Sequence, residues 1–220
     1  MARLENDYKR QNLPVFDAEP CYESPPIMNE FTFSCKEPGL RFTDREIRRS
    51  SFWSVFSGGA GITYGCYGIW QMRREEDDKV EIPESAASAY RNDTIPYWHE
   101  SLNFAAAFQV PLIKKFMENL PNPLSVKPDN SLILSQNPSD ERHLCALTDE
   151  DHSFIAVYVP TYEHFTVDIS CFNLDGFEIY WYDPRFGIYN FLSSDNSESQ
   201  FLNIAPPNSG DDYVLLLKRK

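Results

Sequence analysis

Two glutamates four residues apart, Glu19 and Glu23, stand in the stretch VFDAEPCYE (residues 15–23), directly after a short apolar run at residues 13–16. Carboxylates held at the mouth of a buried strand are what acid/base or nucleophilic chemistry needs, because the backbone fixes where the proton or the electron pair is delivered. The same pattern also describes a strand that ends in an Asx/Pro turn with solvated acids. The stretch by itself leaves both readings open. Other chemistry has less support. Four histidines, His99, His143, His152 and His164, are scattered without metal-ligand spacing. Five cysteines, Cys21, Cys35, Cys66, Cys145 and Cys171, form no C-x-x-C pair and read as free thiols. No metal and no cofactor is expected. Gly59-x-Gly61 opens like a dinucleotide-binding turn, but Tyr64 occupies the third glycine position and the segment follows a helical pattern instead of a strand.

The bulk properties narrow the partners. A chain of 220 residues with 42% hydrophobic and 15% aromatic content can build a packed core in one or two domains. A net charge of −13, from 33 acids against 20 bases, argues against nucleic acid or an anionic membrane as the main partner. No apolar run approaches the ~20 residues that span a bilayer. The opening MARLENDYKRQN is charged and lacks an apolar core, so no signal peptide is expected in this chain. The compartment is left unknown.

The elements that must position the two glutamates come next. Residues 1–12 read as a helix tail leading into the strand at residues 13–16. A long loop with Pro25, Pro26, Pro38 and Gly39 follows. Thr43-Asp44-Arg45-Glu46 fits a capping box that opens a helix over residues 44–57, closed by Gly58-Gly59. AGITYGCYGIWQM (residues 60–72) reads as a crowded strand and its exit loop, and residues 73–81 as a charged, solvated loop. Residues 95–120 read as helical, with Leu102, Ala106, Ile113, Phe116 and Leu120 on one stripe and Pro111 as a kink or a second start. A linker is expected at residues 119–128. The period then changes to two, with strands at residues 132–135, 144–148, 154–159, 165–169, 177–182, 188–192, 201–204 and 213–217, so the second part reads as an antiparallel sandwich.

The order AEPCYE, EIRRSSFWSVFSGGAGITYGCYGIWQ, a helix pair, WYDPRFG and DDYVLLL resembles the apiosidase-like glycoside hydrolase family from about residue 13 to residue 217. The resemblance implies α/β plus all-β architecture: the C-terminal fragment of a (β/α)8 TIM barrel over residues 1–125, holding the last two strands and their helices, then a small antiparallel β-sandwich of the collagen-binding type over residues 126–220. It implies that Glu19 falls at the position of the family's catalytic nucleophile, and that Tyr22, Glu23, Tyr64, Trp70 and Gln71 bind substrate. Where the family has G-H-T-Y-G-H-H, this chain has Gly61-Ile62-Thr63-Tyr64-Gly65-Cys66-Tyr67, so the three histidines are replaced; the family's Asp-Val-Arg is Glu46-Ile47-Arg48.

The implied function is the C-terminal portion of a retaining glycoside hydrolase acting on a plant-type polysaccharide or oligosaccharide. Its acid/base carboxylate would belong to an N-terminal barrel half missing from this chain, which would be inactive alone. The expected partner is a carbohydrate substrate, with no nucleic acid and no membrane. Two other readings stay open: a carbohydrate- or protein-binding sandwich using Trp181, Tyr182 and Arg185, and a degenerate product without activity.

Overall fold

The computed structural model describes residues 2–10, 14–25, 27, 40–79, 95–161, 164–171, 176–195 and 199–219. Two compact units are present, one made of residues 1–16, 52–61 and 111–220, the other of residues 17–51 and 62–110. Much of the expected loop at residues 24–43 and part of the charged run at residues 73–81 lie outside the described residues.

The larger unit is built on two antiparallel sheets. The described residues include ten strands: β1 Val15–Asp17, β2 Gly59–Ile62, β3 Lys127–Pro128, β4 Cys145–Thr148, β5 Phe154–Val159, β6 Phe165–Asp168, β7 Phe177–Asp183, β8 Ile188–Asp195, β9 Phe201–Ile204 and β10 Tyr213–Arg219. Six of them form one sheet in the order β3-β4-β5-β10-β7-β8, while β6 pairs with β9 and β1 with β2. The register places Val157 opposite Leu215 and Leu215 opposite Trp181. One face of the six-stranded sheet therefore presents Val157, Leu215, Ile179 and Trp181 to Phe165, Val167 and Ile204 of β6 and β9, in a single apolar cluster. Alternating residues share a face of a strand, so Tyr158, Leu216 and Tyr182 point the other way.

That second face is also covered. Helix α1 spans Ala2–Arg10, α2 Asp44–Phe56, α3 Tyr67–Gln71, α4 Trp98–Ser101 and α5 Ala105–Glu118. Phe52 of α2 stacks on Tyr158 with centroids 4.6 Å apart, and Phe116 of α5 lies 4.8 Å from Tyr182. All six residues of β5 are consequently buried, and FIAVYV is apolar without a break. The binding reading of Trp181 and Tyr182 gives way to packing on both sides: they are 3% and 2% exposed. Arg185 is tied to Asp183 and Asp211.

Several expectations need local correction. Of the strand expected at residues 132–135, Leu132 closes a 3-10 turn, Asn130–Leu132, which Asp129 caps by accepting from the Ser131 amide at 3.1 Å; Ile133 makes an isolated bridge to Val167 and the Leu134 amide donates to the Thr166 carbonyl at 2.9 Å. The expected linker is bound, since Asn122 donates to Asp149 at 2.7 Å and Lys127–Pro128 pairs with β4. The helical stretch breaks at residues 102–104, where Asn103 and Phe104 make short i→i−3 bonds to Glu100 and Ser101. Pro111 instead sits inside α5 without ending it.

Helix ends follow expectation more closely. Glu46 accepts from the Thr43 amide at 2.8 Å and from its hydroxyl at 2.6 Å. At the other end of α2, Gly58 adopts φ +96° and donates to the Val55 carbonyl at 3.1 Å. That left-handed conformation favours glycine.

Candidate active site

The candidate site lies wholly in the smaller unit. Backbone bonds run the loop after β1 alongside the segment after β2. The Thr63 amide donates to the Asp17 carbonyl at 3.1 Å, the Glu23 amide to the Gly65 carbonyl at 2.9 Å, and the Tyr67 amide to the Glu23 carbonyl at 2.9 Å. The Thr63 hydroxyl adds a bond to the Ala18 carbonyl at 2.8 Å. Gly65 is required here: a Cβ would stand 2.5 Å from the Tyr22 ring.

This scaffold sorts the expected site residues into two groups. Glu19 is exposed, and the Tyr22 hydroxyl donates to its Oε1 at 3.4 Å. Tyr22 meets Trp70 edge to face at 6.5 Å, and Tyr67 lies 5.7 Å from Trp70. Trp70 is 63% exposed, an unusual amount for an indole, and Gln71 beside it is exposed as well. Both stand on α3, a five-residue helix where an exit loop was expected.

Glu23 and Tyr64 form the second group. Glu23 is 6% exposed. Its Oε2 accepts from the Tyr64 hydroxyl at 2.6 Å, and its Oε1 from the Ala106 amide in the first turn of α5 at 3.4 Å. Burial pushes the Glu23 carboxyl above the usual carboxylate range, against the opposing pull of the Tyr64 and Ala106 hydrogen bonds. Burial and the Glu23 carboxylate raise the Tyr64 phenol in turn. Cys21, midway along the same loop, has its thiol pushed up to about 11 by burial and by the Glu46 charge.

A raised carboxyl gives a definite pH dependence. The folded state holds this proton more tightly than the unfolded chain does. Its contribution to stability is complete in acid and lost as pH rises through the folded value. Thermal melts of the wild type and Glu23→Gln across acid to neutral pH should therefore show the wild type losing ground relative to the variant as pH rises. Parallel curves would refute it.

Sequence reasoning missed a polar network beside Glu23. Arg48 donates to Asp44 at 2.6 Å and to Gln109 at 2.6 Å, and Gln109 donates to Asp44 at 3.1 Å. The i,i+4 spacing of Asp44 and Arg48 was the one available signal; Gln109 is 61 residues from Arg48. Arg73, expected in a solvated loop, is 8% exposed, donates to the Ile95 carbonyl and to Asp78, and lies over the Tyr97 ring at 4.6 Å. Among the described residues no three His, Cys, Asp or Glu side chains are grouped to hold a metal, and no helix is long and apolar enough to cross a membrane.

The fold, helices combined with antiparallel sheets, is shared with glycoside hydrolases of known structure. A solved structure described as "Glycoside hydrolase" is 25% identical, with a TM-score of 0.80 over 99% of this chain and 45% of its own. A glycoside hydrolase family 5 protein from Bacteroides vulgatus is 24% identical, with a TM-score of 0.78 over 98% of this chain and 44% of its own. This chain thus spans less than half the length of either. No protein of curated function matches it. Residues 1–123 match the family described as "Apiosidase-like, catalytic domain", and the chain belongs to that family. Residues 127–218 match the family described as "Putative collagen-binding domain of a collagenase".

Proposed function

We propose that this chain is the C-terminal portion of a retaining glycoside hydrolase acting on plant-type polysaccharide or oligosaccharide. In this reading residues 1–125 hold the last two strands of a (β/α)8 barrel with their helices, and residues 126–220 the β-sandwich. Glu19 is the nucleophile. The observation that carries the reading is that Glu19 is exposed in the loop after β1 and accepts from the hydroxyl of Tyr22, whose ring meets the exposed Trp70 edge to face.

The chemistry follows from that placement. A retaining enzyme attacks the anomeric carbon with one carboxylate while a second, about 5–5.5 Å away, protonates the leaving oxygen. Water then hydrolyses the glycosyl ester, with the second group acting as base. Trp70 offers a flat apolar surface to the apolar face of a sugar ring, and Gln71 offers an amide to its hydroxyls. Glu23 is a poor acid/base candidate, because both its oxygens already accept hydrogen bonds and it is buried. The acid/base carboxylate is accordingly assigned outside these 220 residues, and the chain alone is expected to be inactive.

Two measurements test this. The purified chain should release no aglycone from aryl glycosides or sugar from plant-wall oligosaccharides; turnover that vanishes in Glu19→Gln would defeat the inactivity. Oligosaccharide binding, followed by calorimetry, should weaken roughly tenfold in Trp70→Ala, the equivalent of one lost aromatic contact. Binding that survives that change unaltered removes Trp70 from the site.

A further inference from the structure

We infer that Glu23 is a positioning residue for Glu19: it latches the loop that carries Glu19 onto the end of β2 and the first turn of α5, and contacts no sugar itself. The inference rests on the reading of Glu19 as the reacting carboxylate.

Four hydrogen bonds meet at this one residue. Its backbone amide and carbonyl join the loop to Gly65 and Tyr67. Its side chain reaches past them, one oxygen to Tyr64 and the other to the Ala106 amide. The Glu19 loop is thereby held to two separate elements, the segment after β2 and the N-terminal turn of α5. The charge of the carboxylate suits the second of these, since the first amides of a helix have no intrahelical acceptor and attract a negative group.

A sugar ligand needs a free lone pair facing solvent. Glu23 is 6% exposed with both oxygens engaged. Glu19, four residues earlier, is exposed and accepts from the Tyr22 hydroxyl at 3.4 Å. Two glutamates on one loop thus divide the work. One is offered outward, and the other keeps the loop where the first is useful. Pro20 and Cys21 lie between them, Pro20 buried and Cys21 half-buried. Release of the latch frees this segment, so the Cys21 thiol reports on it.

The test is the rate at which iodoacetamide alkylates Cys21 in the full chain, mapped by mass spectrometry, with buried Cys145 (0% exposed) as the internal control for global unfolding. Loss of a hydrogen bond to a charged group is worth about 1.5–3 kcal/mol, so Glu23→Ala should speed Cys21 alkylation roughly tenfold or more. Tyr64→Phe, which keeps the ring, should speed it several-fold. Glu23→Gln should restore protection, because the Tyr64 hydroxyl can donate to the amide oxygen or accept from the amide nitrogen. Cys145 should stay unlabelled throughout.

Unchanged Cys21 rates in Glu23→Ala and Tyr64→Phe would overturn the inference. So would Cys145 labelling in step with Cys21, which marks a general structural role. The third adverse result comes from calorimetry with xylo-, arabino- and galacturono-oligosaccharides: Glu23→Gln that protects Cys21 yet loses binding would make Glu23 a sugar ligand. Alkylation needs no sugar, so the latch can fail while the wild type binds oligosaccharide, and can hold while it binds none.

Discussion

Phe52→Ala is expected to destabilise the protein by about 3–5 kcal/mol, the range for emptying a buried aromatic site. Phe52 is 1% exposed. Its ring lies parallel to Tyr158, 3° from coplanar at 4.6 Å, and meets Phe56 and Phe116 edge-on at 5.7 and 6.5 Å. Three partners enclose it, and two of them sit on helices with their own constraints. The space cannot collapse without tilting a helix, so most of the cavity stays open and the penalty falls at the high end. Urea unfolding read by circular dichroism checks this: the midpoint should fall while the slope stays the same. Phe108, 64% exposed on α5, supplies the contrast. Its replacement by alanine should change stability by no more than about 0.5 kcal/mol. Equal effects at the two positions would mean that the aromatic layer does not hold the sheet.

Asp149→Ala should cost about 3 kcal/mol at neutral pH, because it removes a buried carboxylate that three donors share. Asp149 is 0% exposed and follows β4 directly. It accepts from the Ser153 amide at 2.7 Å, from Asn122 at 2.7 Å, and from the Ser153 hydroxyl. Burial alone would raise its pKa, but these bonds outweigh it and hold the carboxyl below the usual range. A depressed carboxyl stabilises the fold above the unfolded pKa, and that support disappears as pH falls through the folded value. The gap between wild type and variant should therefore be full at neutral pH and close in strong acid. Thermal melts from neutral pH downward measure it, and a gap that persists in strong acid would show that packing, not the carboxylate, is responsible.

Legibility in the sequence followed the range of the interactions. β5 and β9 stand where period and composition place them, and α2 opens at the capping residues that announce it. Local signals sufficed for these. FIAVYV carried more information than strand reading used: an unbroken apolar run means both faces are buried, and the aromatic layer over the second face comes from Phe52 and Phe116, far off in sequence. In the site, Glu19, Tyr22 and Trp70 could be named from motif order, but their mutual geometry depends on α3, a helix too short for a periodic signal. The difference between Glu19 and Glu23 was not visible at all. Both are acids on one loop, and only the approach of Tyr64 and Ala106 decides which one is buried.

The central place of β10 in the six-stranded sheet sets how late in synthesis that sheet can be complete. β5 and β7 each use one long edge to pair with it, and they are separated from each other by its width. Residues 213–219 are the last strand of the described chain to leave the ribosome. Until they do, β5 and β7 lack the partner that covers one edge of each, and bare strand edges are surfaces on which nascent chains stick to one another. At a synthesis rate of about 5–20 residues per second, the roughly thirty residues from β7 to β10 keep those edges bare for a few seconds. Two helical aromatics cannot substitute for the missing strand, because they cover a face and leave the backbone edges bare. Because β5 and β7 bond to β10 and not to each other, the six-stranded sheet is continuous only once residues 213–219 are in place.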